Sequence, residues 1–103
     1  TKEDVEYGID HMLDACEPLF IQQTESLSSY QMNFLRALTD GVTTGFTRSE
    51  ILNNYQLGTA ANISRLKKAL TEKDLIALTA PKKLQISDPI LALWLKRRVW
   101  RTR

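Results

Sequence analysis

The chain has 103 residues, a formal net charge of +2 at pH 7, and 43% hydrophobic and 25% charged residues. This length fits one ordinary domain, and the composition is that of a globular protein, which argues against wholesale disorder. The apolar runs are only a few residues long, whereas a transmembrane helix needs about 20, so the sequence predicts no membrane span. No basic segment followed by an apolar core opens the chain, so no secretory signal is expected. Because the chain opens at Thr1 rather than at a methionine, we expect it to be a piece of a longer protein.

Cysteine and histidine are scarce, which limits the chemistry that the chain can carry. Cys16 and His11 are the only residues of their types. A single cysteine cannot form an internal disulfide, so a reducing, cytoplasmic location is expected. Two soft ligands do not make a metal site, and no nucleophile pairs with His11, so no catalytic, cofactor or metal residue is predicted. His11 is interpreted as a surface residue, and Cys16 as a small hydrophobic residue on an apolar helix face.

Charge is distributed unevenly along the chain. Residues 1–26 hold one lysine and seven acidic residues, a net charge of −6, so the remainder carries +8. This asymmetry predicts either a basic surface that meets an acidic partner or simply two solvated helix faces. The basic and aromatic tail 96–103 also has two interpretations. It resembles nucleic-acid-binding tails, and it equally fits the positively charged end of a helix, which the helix dipole favours.

Two helices are predicted in the first part of the chain. Apolar residues in steps of three and four over residues 3–26 form one helical face, with Pro18 expected to kink or divide the helix. Residues 28–31 then form a capping box, in which the Ser28 hydroxyl and the Gln31 side chain each satisfy a backbone amide. The second helix should end near Asp40-Gly41, because glycine tolerates the left-handed turn there.

The next segment is predicted to form a helix-turn-helix. Residues 42–46 leave room for one short strand, and residues 47–50 form a second capping box at the start of a short helix. Residues 53–58 are rich in turn-forming Asn and Gly. Thr59 is expected to cap a longer helix that ends at about residue 73. This helix has an apolar stripe, and its opposite face displays Ala61, Ser64, Arg65 and Lys68.

The pattern then changes from helix to strand and back. Two short strands are predicted at 75–79 and 83–87, joined by the link 80–82 that contains Pro81. Asp88-Pro89 should open a last, heavily apolar helix. The predicted fold is therefore mostly α with a small β-hairpin: a winged helix-turn-helix domain over residues 28–103, preceded by a helical extension over residues 1–27. One core is expected beneath the hairpin, formed by Ile63, Leu66, Leu70, Leu75, Ile86, Leu91 and Trp94.

The functional hypothesis concerns double-stranded DNA. In DNA-binding winged helices the second helix of the motif enters the major groove, which is wide enough to admit it. The candidate contact residues are Ser64, Arg65 and Lys68 on that helix, with Lys82 and Lys83 at the hairpin tip. The alternative is a docking module that binds another protein or the rest of its own parent protein and does not bind nucleic acid.

Two sequence runs carry a family resemblance. YQLGTAANISRLKKALTEKDLI at 55–76 and KLQISDPILALWL at 83–95 resemble the C-terminal region of the archaeal-type AAA+/STAND P-loop ATPases of archaea and bacteria. The ending Asp88-Pro89 followed by Trp94-Leu95 distinguishes this family from other winged helices. The resemblance covers about residues 27–95. Residues 1–26 loosely resemble the helical lead-in, the end of an ATPase lid.

The resemblance implies a winged helix that follows a nucleotide-binding core. ATP is accordingly expected only in the parent protein, because the chain contains no G-x-x-x-x-G-K-[ST] phosphate-binding loop. The chain itself is predicted to bind no cofactor and to be no enzyme. Its own ATPase core becomes one candidate for the docking partner.

Overall fold

The computed structural model describes residues 2–80 and 83–100, and for Ala80 the backbone alone. Over these residues the chain is mostly helical with a two-stranded antiparallel hairpin, so the predicted fold class is confirmed. The elements in chain order are α1 (Lys2–Glu25), α2 (Ser29–Thr39), α3 (Ser49–Tyr55), α4 (Ala60–Glu72), β1 (Ile76–Ala80), β2 (Lys83–Ile86), α5 (Pro89–Trp94) and a π-helix (Leu95–Val99).

Helix α1 runs through the proline that was expected to disturb it. Pro18 lies inside a single helix of 24 residues, so the predicted division of the helix is wrong. Proline removes one backbone hydrogen bond and crowds the preceding turn. Leu13 and Phe20, on either side of Pro18, are 0% and 1% exposed. Because both halves are held against the same core, their burial offsets the local cost of the proline.

Helix α2 begins and ends as its sequence predicts. The Gln31 amide donates to Ser28 Oγ over 3.2 Å, and the Ser28 amide donates to Gln31 Oε1 over 2.9 Å, which confirms the capping box. The helix ends at Thr39, and Gly41 follows with a left-handed φ of 99°. The Val42 amide then donates to the Ala37 carbonyl, which closes the helix end.

The second predicted capping box, at residues 47–50, is wrong. The residue before α3 is Arg48, and it makes no side-chain capping bond. A turn, closed by the Arg48 amide donating to the Gly45 carbonyl, precedes the helix. The helix therefore begins at Ser49, one residue too late for Thr47 to occupy the N-cap position. The helix also extends through Asn53 and Asn54, which were expected in the turn, and stops where Gln56 adopts a left-handed φ of 54°.

The hairpin lies within one residue of its prediction. Ile76 pairs with Ile86, and Leu78 pairs with Leu84. The short strand expected at 42–46 does not form, and this segment is joined to the hairpin by a hydrogen bond from the Leu84 amide to the Thr43 carbonyl. Gly45, with a φ of 71°, interrupts the extended backbone that a strand would need.

All seven residues predicted for the core are buried, with Ile86 the most exposed of them at 6%. They form one cluster with residues of α1, α2 and the connector, including Leu13, Phe20, Phe34 and Phe46.

At the start of α5, Asp88 Oδ1 accepts a hydrogen bond from the Ile90 amide over 2.9 Å, and Pro89 occupies the first turn, as predicted. The boundary between residues 1–27 and 28–103 stays a prediction.

The acidic face of α1 pairs with the basic tail. Arg98 Nη1 donates to Asp14 Oδ1 over 2.8 Å and lies 3.7 Å from Glu17 Oε2, while Nη2 lies 3.7 Å from Asp10 Oδ1. The hydrogen bond to Asp14 raises the pKa of the Arg98 guanidinium above its ordinary value. Trp94 Nε1 also donates to Glu17 Oε1 over 3.3 Å. Part of the charge asymmetry of the sequence is therefore satisfied within the chain.

Gly58, in the turn before α4, should not tolerate a side chain. Its φ is 86°, and a β-carbon there would lie 3.2 Å from Asn62 Nδ2. We expect Gly58→Ala to lower the free energy of unfolding in urea by about 1–2 kcal/mol, the cost of a left-handed conformation in an L-residue. The matched control is Gly8→Ala in α1, where no described atom lies within 4 Å of the added carbon. That change should instead raise stability by about 0.5–1 kcal/mol, and a stabilising Gly58→Ala would contradict the turn geometry.

Candidate nucleic-acid interface

The outer face of α4 is the surface that the sequence singled out. Ala61, Ser64, Arg65 and Lys68 are all exposed, as their helical spacing predicts. On the opposite side Ile63, Leu66 and Leu70 are buried at 1%, 4% and 0% exposure. Because this stripe is buried, α4 cannot rotate about its own axis, and the four outer residues therefore face solvent.

Arg65 and Lys68, the two cations on this face, have no acidic partner in the part of the chain that the structure describes. Among residues 2–80 and 83–100, neither Arg65 nor Lys68 forms a salt bridge. Three other basic side chains are engaged. Arg98 pairs with the carboxylates of α1, Lys67 Nζ lies 5.5 Å from the centre of the Phe46 ring, and Arg36 Cζ lies 5.9 Å from the centre of the Trp100 ring. Arg65 and Lys68 therefore remain available to an external anion.

The basic patch on α4 is short. The same stripe continues toward the end of the helix with exposed Glu72, so its positive part is confined to the two turns that hold Arg65 and Lys68. Lys83 is exposed at the start of β2, on a different element. Lys82, also predicted as a contact residue, lies outside the described residues.

Tyr30 is a candidate that the sequence reasoning missed. Its side chain is 49% exposed, and its ring lies beside the turn, since a β-carbon at Gly58 would be 3.5 Å from Tyr30 Cε1. Tyr30 and Arg65 line one surface groove of about 310 Å³ together with residues of the α4 N-terminal turn. The sequence alone did not identify Tyr30, because it lies at the start of α2, whereas the other residues that line its groove are about 30 positions later in the chain.

Side-chain bonds hold α3 against α2 and so set the position of the turn. Asn33 Nδ2 donates to the Gln56 carbonyl over 3.3 Å, and the Tyr55 hydroxyl donates to Asp40 Oδ2 over 2.9 Å. Burial, followed by this hydrogen bond, raises the pKa of the Tyr55 hydroxyl above its ordinary value. Asn62 Nδ2 closes the other side of the turn by donating to the Leu57 carbonyl over 2.9 Å.

The remaining sequence candidates lie away from this surface. His11 is exposed on α1 and stacks with Tyr7 at a ring-centre distance of 6.5 Å, and Cys16 is half-buried. Within the described ranges, no group of three or more His, Cys, Asp or Glu side chains could hold a metal ion. None of the helices in the described part of the chain combines the length and the hydrophobicity that crossing a membrane requires.

A short helix, a tight turn, a longer helix with an exposed basic face and a β-hairpin together define a winged helix-turn-helix domain. The model of the family described as "Probable winged helix domain" matches residues 18–97. The chain belongs to this family. Winged helix domains often bind DNA and are typically non-catalytic. No curated protein and no solved structure gives a significant match to the chain.

Proposed function

We propose that this winged helix is a DNA-binding, regulatory module of a larger P-loop ATPase. One observation carries the DNA part of the proposal: the outer face of α4 holds Arg65 and Lys68 in solvent without an acidic partner among the described residues. Positive charge that the fold leaves uncompensated is what a polyanion requires.

The residues of α4 suggest how the contact is made. Ala61 and Ser64 are small, so the helix backbone can approach the floor of the major groove. Arg65 and Lys68 are long enough to reach phosphates or the edge of a guanine. The Tyr30 hydroxyl, on the same groove as Arg65, can donate to a phosphate oxygen. In this arrangement Lys82 and Lys83 contact the neighbouring DNA backbone.

The ATPase part of the proposal rests on the resemblance of residues 55–76 and 83–95 to the C-terminal region of archaeal-type AAA+/STAND proteins. In such a parent protein ATP binds to the preceding core, and this chain contributes no phosphate-binding loop. The winged helix then couples the state of the core to DNA, in the cytoplasm. Finding a P-loop sequence upstream in the parent protein would test this part directly.

The test of DNA binding is a charge reversal at two positions. In fluorescence anisotropy, wild type should bind a short duplex with a Kd of about 10⁻⁴–10⁻⁶ M at physiological salt, and more tightly as the salt concentration is lowered. Arg65→Glu with Lys68→Glu should weaken this binding at least about tenfold, because phosphate contacts are replaced by repulsion. The melting temperature should stay nearly unchanged, since both side chains face solvent.

A matched control separates the two basic regions. Lys96→Glu with Arg97→Glu introduces the same change in net charge at two exposed positions of the tail. If DNA binds to α4, this variant should keep most of the affinity at moderate salt. Loss of binding in the tail variant alone would assign the contact to the tail, and absence of salt-sensitive binding by wild type would favour the docking function instead.

A further inference from the structure

A second open surface lies between the wing and α4, on a different side of the helix from Arg65 and Lys68. It is a groove of about 500 Å³, bounded by the connector before α3, by α4 and by the hairpin. A volume of this size is in the range of sites that take up a ligand or a peptide side chain. None of the predicted DNA contacts that the structure describes lines this groove, so the DNA hypothesis does not account for it.

The floor of this groove is continuous with the hydrophobic core. Phe46 and Leu84 line it and are only 3% and 7% exposed, so they extend the core to the surface. Leu78, on the paired strand, forms a wall and is 67% exposed. A single exposed leucine is ordinary, but here it stands beside an open apolar floor, which favours contact with another apolar group.

The charge at the rim indicates the chemistry of the occupant. Among the lining residues that the structure describes, Lys67 is the one with a charged side chain, and its Nζ lies 5.5 Å from the centre of the Phe46 ring. The cation is thus held directly beside the apolar floor. A carboxylate adjacent to an inserted apolar side chain would meet it, and burial of the apolar group would shield the pair from solvent.

We propose that this groove docks a short segment of a partner protein in which a bulky apolar residue is followed by an acidic one. The apolar side chain packs on Phe46, Leu78 and Leu84, and the carboxylate pairs with Lys67. A DNA phosphate can pair with Lys67, but it leaves the apolar floor of Phe46 and Leu84 uncovered, so a segment that joins an apolar and an acidic side chain fits the groove better. The site extends the function of the domain beyond DNA, since Lys67 and Lys68 point about 100° apart around α4.

The test uses a fluorescein-labelled synthetic peptide that contains a Leu-Phe pair flanked by glutamates. Fluorescence polarisation should show saturable binding, and the amide NMR signals of Phe46, Lys67 and Leu78 should shift on titration. Leu78→Thr, which keeps a strand-forming residue at an exposed position, should weaken binding about tenfold because an apolar wall is lost. Lys67→Gln should weaken binding severalfold, and Lys67→Arg should retain it.

Two controls make the outcome decisive. Lys68→Gln, one residue along the same helix, should leave the peptide affinity unchanged while weakening binding to duplex DNA. A peptide with lysines in place of the glutamates should bind more weakly than the acidic one. The proposal is overturned if the two peptides bind equally, if neither binds up to about 1 mM, or if the NMR shifts map to another surface. It is also overturned if sedimentation shows a dimer of the chain that Leu78→Thr disrupts, because a second copy would then occupy the groove.

Discussion

Replacing Phe20 by alanine should lower the free energy of unfolding by about 3–5 kcal/mol, the range for truncating a buried aromatic residue. Phe20 is 1% exposed, and the centre of its ring lies 5.6 Å from that of Trp94 in α5. Deleting the ring removes buried apolar area and leaves a cavity at the junction of the two helices. Urea unfolding followed by tryptophan fluorescence measures the change, because Trp94 lies against the cavity.

The adjacent residue provides the control for Phe20→Ala. Leu19 is 54% exposed, so Leu19→Ala should change stability by less than about 0.5 kcal/mol. A difference between the two variants would show that α1 is packed on the winged helix in the orientation described. If Phe20→Ala were as mild as Leu19→Ala, α1 would be a loosely attached extension, and the predicted boundary near residue 27 would separate independent parts.

Replacing Leu70 by alanine should lower the free energy of unfolding by about 2–5 kcal/mol. Leu70 is 0% exposed on the inner face of α4, and the Leu75 amide donates to its carbonyl over 3.0 Å where the chain turns into β1. Its side chain therefore lies where α4 joins the hairpin. Loss of this packing should destabilise both elements together, as a single shift of the urea midpoint.

Lys68→Ala, two residues earlier and exposed, is the control for Leu70→Ala. It should leave stability within about 0.5 kcal/mol of wild type. Should the leucine variant lose less than about 0.5 kcal/mol, Leu70 would face solvent. The rotation of α4 would then be wrong, and Arg65 and Lys68 could not form its outer face.

The accuracy of the sequence predictions depended on how local each signal is. The capping box at Ser28 and the Asp88-Pro89 start of α5 are confirmed, because their hydrogen bonds join residues two or three positions apart. The apolar stripe of α4 was also sufficient to identify its buried and exposed faces. The prediction of a capping box at residues 47–50 was wrong because a turn at Gly45 moves the start of the helix by one residue. Such a shift cannot be recognised from the residue types alone.

The features that sequence reasoning missed depend on contacts between distant residues. Pro18 could not be judged without knowing that Leu13 and Phe20 are held by the core on both sides of it. Tyr30 became a candidate only when its ring was found beside Gly58. The charge asymmetry was evident from the sequence, but the ion pair between Arg98 and Asp14 was not predictable, because the two residues are separated by 84 positions.

The pairing of Arg98 with α1 has a consequence for the direction from which DNA can approach. Three carboxylates of α1, those of Asp10, Asp14 and Glu17, surround the Arg98 guanidinium, so this face of α1 keeps negative charge that Arg98 alone does not balance. At low ionic strength this excess repels a polyanion over distances of 10 Å and more. If the domain binds DNA as proposed, encounter complexes on this face of α1 are therefore disfavoured, and diffusing DNA is steered toward the remaining surface, which includes the basic turns of α4.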